Sequence, residues 1–278
     1  GVPGARTRRA AGPVTVPSVE ALRQQLQDAR IAGDIATPRE NNLEKYGSFA
    51  AGRAWARFGL ESNRSWSVDE VMALMARVVG VSADPDHQRG PDRIDPDLTI
   101  GALTRMAARL AAVAGPGHRV IVATGHPAGL LAVHLPVALA LAASGTEILT
   151  PAQGWTYELT THSGWVSREI RYISGVAMVS TRGELNHTHS ARPMEAILAE
   201  LASAGADPPD LVLADHGWAG AAGQAGITSV GFADSNDPAL FVGEYEGKVA
   251  VAVPLDDNVE PHLYAPLTAF LLHAAGLD

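Results

Sequence analysis

Past Gly117 the sequence alternates short β-branched runs with helix-length stretches. This predicts an α/β fold: a mostly parallel, Rossmann-like sheet of about six strands flanked by helices. The runs are apolar without a polar alternate, as in strands buried on both faces. Helical patterns separate them, as crossovers between parallel strands require. The first third has no such runs and reads as an N-terminal helical subdomain or cap.

Residues 1–16, rich in Gly, Ala, Arg and Pro, read as a flexible tail. Residues 17–116 read as the helical subdomain and residues 117–278 as an α/β catalytic domain. An amphipathic helix is expected from Ser18 to about Ala32, where Val19, Leu22, Leu26 and Ile31 share a face and Ser18 can cap. After the polar stretch 37–43, helices are expected at Val68–Val79, capped by Ser67, and at Leu98–Ala114. Between them, residues 84–97 hold too much Pro and Asp for regular structure and read as a loop. Strands are expected at Arg119–Ala123, Glu147–Leu149, Val176–Ser180, Leu211–Ala214, Ser229–Phe232 and Val249–Val253. The helices between and after them are placed at Ala128–Ala143, Arg192–Ala204, Trp218–Ala225 and Pro261–Ala275. Residues 151–169 and 182–190 read as irregular excursions over the sheet edge.

Composition narrows the chemistry. The net charge of −9, with Lys45 and Lys248 the only lysines, argues against nucleic-acid or anionic-membrane binding, which needs a basic face. A small phosphorylated ligand remains compatible, because a few arginines can hold one phosphate. With no cysteine, thiolate metal sites, disulfides and cysteine nucleophiles are excluded, and any metal must be held by oxygen and imidazole. The basic start lacks the apolar core of a signal peptide, and the apolar stretch Val120–Ala143 is interrupted by Gly125-His126-Pro127 and Pro136. A cytoplasmic protein is the expectation.

In a parallel sheet, ligands gather beyond the carboxyl ends of the strands, and unusual residues stand there. After the first expected strand, Thr124-Gly125-His126-Pro127-Ala128 opens a helix, so backbone N–H groups at Gly125 and Ala128 could receive phosphate and His126 could act as acid or base. A helix cap with an incidental histidine is the alternative. After the fourth strand, Asp215-His216 leaves a buried run and is costly to place there without partners. Asp234, Asn236 and Asp237 follow the fifth, offering hard oxygen ligands suited to Mg²⁺ or Mn²⁺, or else an Asx-turn before a helix. Asp256-Asp257-Asn258 repeats the theme, where a turn is the better reading. His187 and His189, spaced to share one side of an extended segment, could contact metal or phosphate, or could sit in a solvent-exposed cap. Arg39, Asn42 and Arg93 are candidates for reaching the phosphate from the helical part.

Taken together, ATGHPAGLL (123–131), HTHSARPM (187–194), LADHGWAGAAGQAGI (213–227), GFADSNDPALFVGE (231–244) and VPLDDNVEPHLYAPL (253–267) resemble an actinobacterial family labelled phosphatase, as does GPDRIDPDLT (90–99). The resemblance covers roughly residues 35–275 and implies phosphomonoester hydrolysis without naming a substrate. A looser architectural likeness is to metal-dependent α/β phosphatases with Asp and Asn at successive strand ends.

The expected mechanism places one divalent metal, Mg²⁺ or Mn²⁺, on Asp215, Asp234, Asn236 and Asp237. Phosphate lies on the Gly125–Ala128 backbone and on Arg39 or Arg93, and His126 or His216 is the acid or base, with Asp215 also in the catalytic group. The DxDx[TV] and RHG signatures of covalent phosphatases are absent, so a phospho-enzyme is not expected. The expected partner is a small phosphorylated metabolite, and the chain could form a homodimer. Competing classes are a nucleotide or sugar-phosphate binding module without turnover, and a lyase or isomerase acting on a sugar phosphate.

Overall fold

The computed structural model describes residues 15–161 and 164–278. The tail expected at 1–16 thus lies outside the described residues except for Thr15 and Val16.

Helix α1 (Val19–Asp28) starts where expected, with the Ser18 hydroxyl accepting from Ala21 N–H. The chain then departs from the expected pattern. Strand β1 (Gly33–Pro38) pairs antiparallel with β2 (Pro91–Ile94), the latter inside the segment read as loop. The polar stretch between Thr37 and Leu43 ends β1 and opens α2 (Arg39–Ala50). Helix α3 (Val68–Val78) carries a full capping box between Ser67 and Glu70. Asp95 caps α4 (Pro96–Ala111), whose Pro sits in the first turn.

These helices rest directly on the rest of the chain. Helix α4 packs on strand β11 (Val251–Pro254) and on α9 (Ala265–Ala274), and α3 packs on α8 (Pro238–Tyr245). Leu22, Met75 and Leu103 belong to the same hydrophobic cluster as Val122 and Leu213. The first third is therefore mixed helix and strand joined to the sheet by a shared core, and a separate helical subdomain is not shown.

The remaining elements are β3 (Arg119–Ala123), α5 (Pro127–Ala143), β4 (Glu147–Ile148), β5 (Thr156–Thr161), β6 (Gly164–Ile173), β7 (Val176–Thr181), β8 (Glu184–Asn186), α6 (Arg192–Ser203), β9 (Leu211–Asp215), α7 (His216–Gln224) and β10 (Ser229–Ala233). The sheet runs β11-β10-β9-β3-β7-β6-β5, with β4 beside β3 and β8 beside β7. Neighbours from β11 to β7 are parallel, and β5, β6 and β8 pair antiparallel. Every residue of β9, β10 and β11 is buried, as the continuous apolar runs predict.

The sheet is thus larger than the six strands expected, because β5, β6 and β8 form in stretches read as irregular. Their two-residue turns carry the reason. Ser174-Gly175 joins β6 to β7 and Arg182-Gly183 joins β7 to β8, all four residues at positive φ, the geometry of a type I′ hairpin.

Candidate active site

The carboxyl ends of β3, β9, β10 and β11 lie side by side, and each delivers acidic or imidazole side chains to one place. From β9 comes Asp215, fully buried, at the carboxyl end of the strand. Its Oδ2 accepts from the Thr124 hydroxyl at 2.6 Å, and its Oδ1 accepts from Gly125 N–H at 2.6 Å and lies 2.7 Å from His216 Nδ1. Beneath it, His134 Nε2 on α5 stands 3.7 Å from Oδ2. In the β3–α5 turn, whose backbone was expected to receive phosphate, Gly125 gives its N–H to the chain's own Asp215 carboxylate. His126 N–H donates to Thr124 Oγ1, and Ala128 is exposed on the first turn of α5.

His216 enters α7 with φ of +45°, a left-handed backbone that costs a β-carbon residue about 1–2 kcal/mol. That bend, with the bond to Asp215, aims Nε2 at the strand ends. There it meets Asp257 Oδ2 at 3.2 Å and Asp237 Oδ2 at 3.4 Å. Asp257 also faces His126 Nδ1, at 3.3 Å from its Oδ1.

The segment after β8 closes the other side. Thr188 N–H donates to Gly125 O at 2.8 Å. A Cβ on Gly125 would collide with Thr188 O, and one on Gly217 would collide with His189 O. Glycine at these two positions is what lets the histidine segment descend onto the strand ends. His187 then stacks on His126 with centroids 4.4 Å apart, and His189 stacks on His216 at 4.5 Å. The Nε2 atoms of His187 and His189 are 3.0 Å apart, and Phe58 packs edge-on against His189 and His216.

Electrostatics divides the group. Burial opposes a charged His216, yet its bonds to Asp215, Asp237 and Asp257 outweigh burial and raise its pKa well above the usual value. His126 is likewise raised, burial being overcome by Asp257. Burial would lift Asp215 and Asp257, but their imidazole partners hold both lower than usual. Burial, reinforced by neighbouring carboxylates, pushes Asp234 well up, and burial also raises Asp237 and Asp256. His187 is lowered to about 4 by burial and by the charges of His216 and His126, and His189 is lowered for similar reasons. Two neutral imidazoles therefore face a cluster of carboxylates.

Three sets of donor atoms, each within 4.8 Å of one another, could hold a metal ion: His126, His187 and His216; His189, His216 and Asp237; and Asp234, Asp256 and Asp257. This mix of imidazole nitrogen and carboxylate oxygen fits a divalent metal. Because His216 Nδ1 is tied to Asp215, only Nε2 is free to coordinate, the carboxylate–histidine arrangement common behind metal ligands.

The other expected residues are placed as follows. Asp234 and Asp237 reach the cluster, whereas Asn236 Nδ2 donates to Asn41 Oδ1. Arg39, expected to hold phosphate, is completely buried and pairs with Asp92 at 3.1 Å while donating to His87 O and the Met72 sulfur. Asn42 donates to the same Asp92 and accepts from Ser235 Oγ at 3.0 Å. Arg93 is exposed on β2. Asp257, read as a turn residue, lies at the centre, and the repetition of Asp after three successive strands was its signal. Lys45 on α2 was also missed. Its charge acts on Asp237 and His189, and its Nζ stands 4.7 Å from the Trp55 ring.

An α/β sheet whose strand ends assemble imidazoles and carboxylates defines the class: an α/β protein with a polar site whose donor groups could hold a divalent metal. The family model described as Phosphatase matches residues 17–278, and the chain belongs to that family. It is 51% identical over 263 residues to Phosphatase SCO2771 of Streptomyces coelicolor, covering 94% of this chain and 97% of that protein. Among the described residues, no helix is long and apolar enough to cross a membrane.

Proposed function

We propose that the protein hydrolyses a small phosphomonoester and uses a divalent metal to do so. The observation that carries this reading is the convergence of His126, His187, His189 and His216 with Asp237 and Asp257 at four adjacent strand ends, in a member of the phosphatase family. His189, His216 and Asp237 would hold the ion, with His187 beside them. When bound, a divalent cation neutralises phosphoryl charge and activates water.

The chain's own groups supply the rest. Asp215 fixes the His216 ring and leaves Nε2 facing the site. His126, whose pKa Asp257 raises against the opposing effect of burial, donates the proton to the leaving alkoxide. Lys45 draws the phosphate toward the mouth.

Phosphate release from small sugar and aryl phosphates tests the proposal, with the metal removed by chelation and then restored. Release that stops in chelator and returns with Mn²⁺ or Mg²⁺ supports it. Full turnover in chelator overturns the metal dependence. Substrate consumption without phosphate release assigns the site to lyase or isomerase chemistry, and binding without consumption to a sensor.

A further inference from the structure

We propose that the site holds a second divalent cation, on Asp234, Asp256 and Asp257, with Asp257 shared between the two positions. This rests on the metal-dependent reading above. The two imidazole-containing donor sets share His216, whose Nδ1 is held by Asp215, so they describe alternative placements of a single ion. The all-carboxylate set shares no member with either and marks a separate position. Asp257 lies between them: its Oδ2 is 3.2 Å from His216 Nε2, and it belongs to the carboxylate set as well.

Three buried carboxylates with converging oxygens repel one another unless protons or a cation intervene. Asp257 faces the imidazoles of His126 and His216, but among the described residues Asp234 and Asp256 form no ion pair with any lysine, arginine or histidine. Their existing bonds leave room for a cation. Asp234 accepts from Thr37 Oγ1 and from Ser235 N–H, and Asp256 accepts from Ala36 N–H and Asn258 N–H, one donor to each oxygen. A carboxylate oxygen has a further lone pair beyond one such bond.

A second observation points to a missing ligand. His126 is only 6% exposed, and its Nδ1 lies 3.3 Å from Asp257 Oδ1 without making a hydrogen bond. A cation on the other side of the carboxylate would draw Asp257 into a fixed orientation and set that contact. All-oxygen donors suit Mg²⁺ or Mn²⁺, whereas the imidazole set suits softer ions as well. Paired cations that share a carboxylate are a recurring device for clamping a transferring phosphoryl group.

Mn²⁺ alone, titrated into the metal-free full-length protein, tests the inference by equilibrium dialysis and by electron paramagnetic resonance. Two ions per chain, with spectra showing coupling between neighbouring Mn²⁺ ions, are expected. Asp234→Asn and Asp256→Asn should each lower the count to one while circular dichroism is unchanged. His189→Ala should remove the other ion. One ion in the wild type, or an unchanged count in both carboxamide variants, overturns the second position. If a single ion still supports hydrolysis, the functional reading survives that result. No bound ion at all overturns both.

Discussion

Asp215 and His216 are consecutive in the chain and hydrogen-bonded to each other, Oδ1 to Nδ1 at 2.7 Å, across a backbone bent to positive φ at the histidine. Neighbouring side chains on a strand point to opposite faces, so this pairing exists only because the strand ends at Asp215 and the helix starts at His216. The pair fixes an imidazole at a strand end.

Replacing that carboxylate tests the arrangement. Asp215→Asn removes the charge that selects the His216 tautomer, and metal affinity is expected to fall about 10–100-fold. Titration of the variant with Mn²⁺ measures this, and an unchanged affinity contradicts the orienting role.

Close packing of the histidine segment predicts a cost at Gly217. Its φ is ordinary, so the penalty for Gly217→Ala comes from collision with the facing backbone, at His189 O, Ser190 C and Ala191 N. Urea unfolding should show a loss of about 1–3 kcal/mol. A variant as stable as the wild type means that the 187–191 segment yields freely.

Burial lowers the pKa of His134, against the opposing pull of the Asp215 charge. In the unfolded chain the imidazole takes its proton near pH 6.5. Above that pH neither state is protonated and this residue does not penalise folding. As pH falls below it, the unfolded chain binds the proton first and stability drops. Relative to His134→Asn, the wild type should lose up to about 1.4 kcal/mol per pH unit in that window. Urea midpoints across pH 4–8 decide it, and parallel curves for the two proteins would refute the assignment.

The Arg39–Asp92 pair is completely buried on both sides. Arg39→Met leaves Asp92 charged and short of a partner, which is expected to cost about 3–5 kcal/mol. In protein that remains folded, metal binding should be retained, because Arg39 does not face the cluster. Loss of binding in folded Arg39→Met would show that this helix end is coupled to the site.

Lys45→Met separates phosphate recognition from chemistry. KM should rise several-fold with kcat little changed, and Lys45→Arg should recover part of the loss. Equal KM values for wild type and Lys45→Met exclude this lysine from substrate binding.

Much of the site could be read in the sequence because polar residues at the ends of fully apolar strands are conspicuous. His126, Asp215, Asp234 and Asp237 stand out in that way, and they meet. Asp257 was harder to read, since Asp-Asp-Asn after a strand is also ordinary turn chemistry. Arg39 misled because its partner, Asp92, is 53 residues away, and a side chain's hidden partner leaves no local trace. Strands β5 and β6 are half-exposed and polar on one face, so their signal is weak, and the Ser174-Gly175 turn that joins β6 to β7 went unread with them. Helix α2 opens within a polar stretch with no side-chain cap at Pro38, which hides its start.

The acidic side of the cluster is tied to the beginning of the chain as well as its end. Asp256 N–H donates to Ile31 O, its carboxylate accepts from Ala36 N–H, and Thr37 donates to Asp234. During synthesis, the first strand therefore waits for the last one, and more than two hundred intervening residues must emerge before the carboxylate pocket exists.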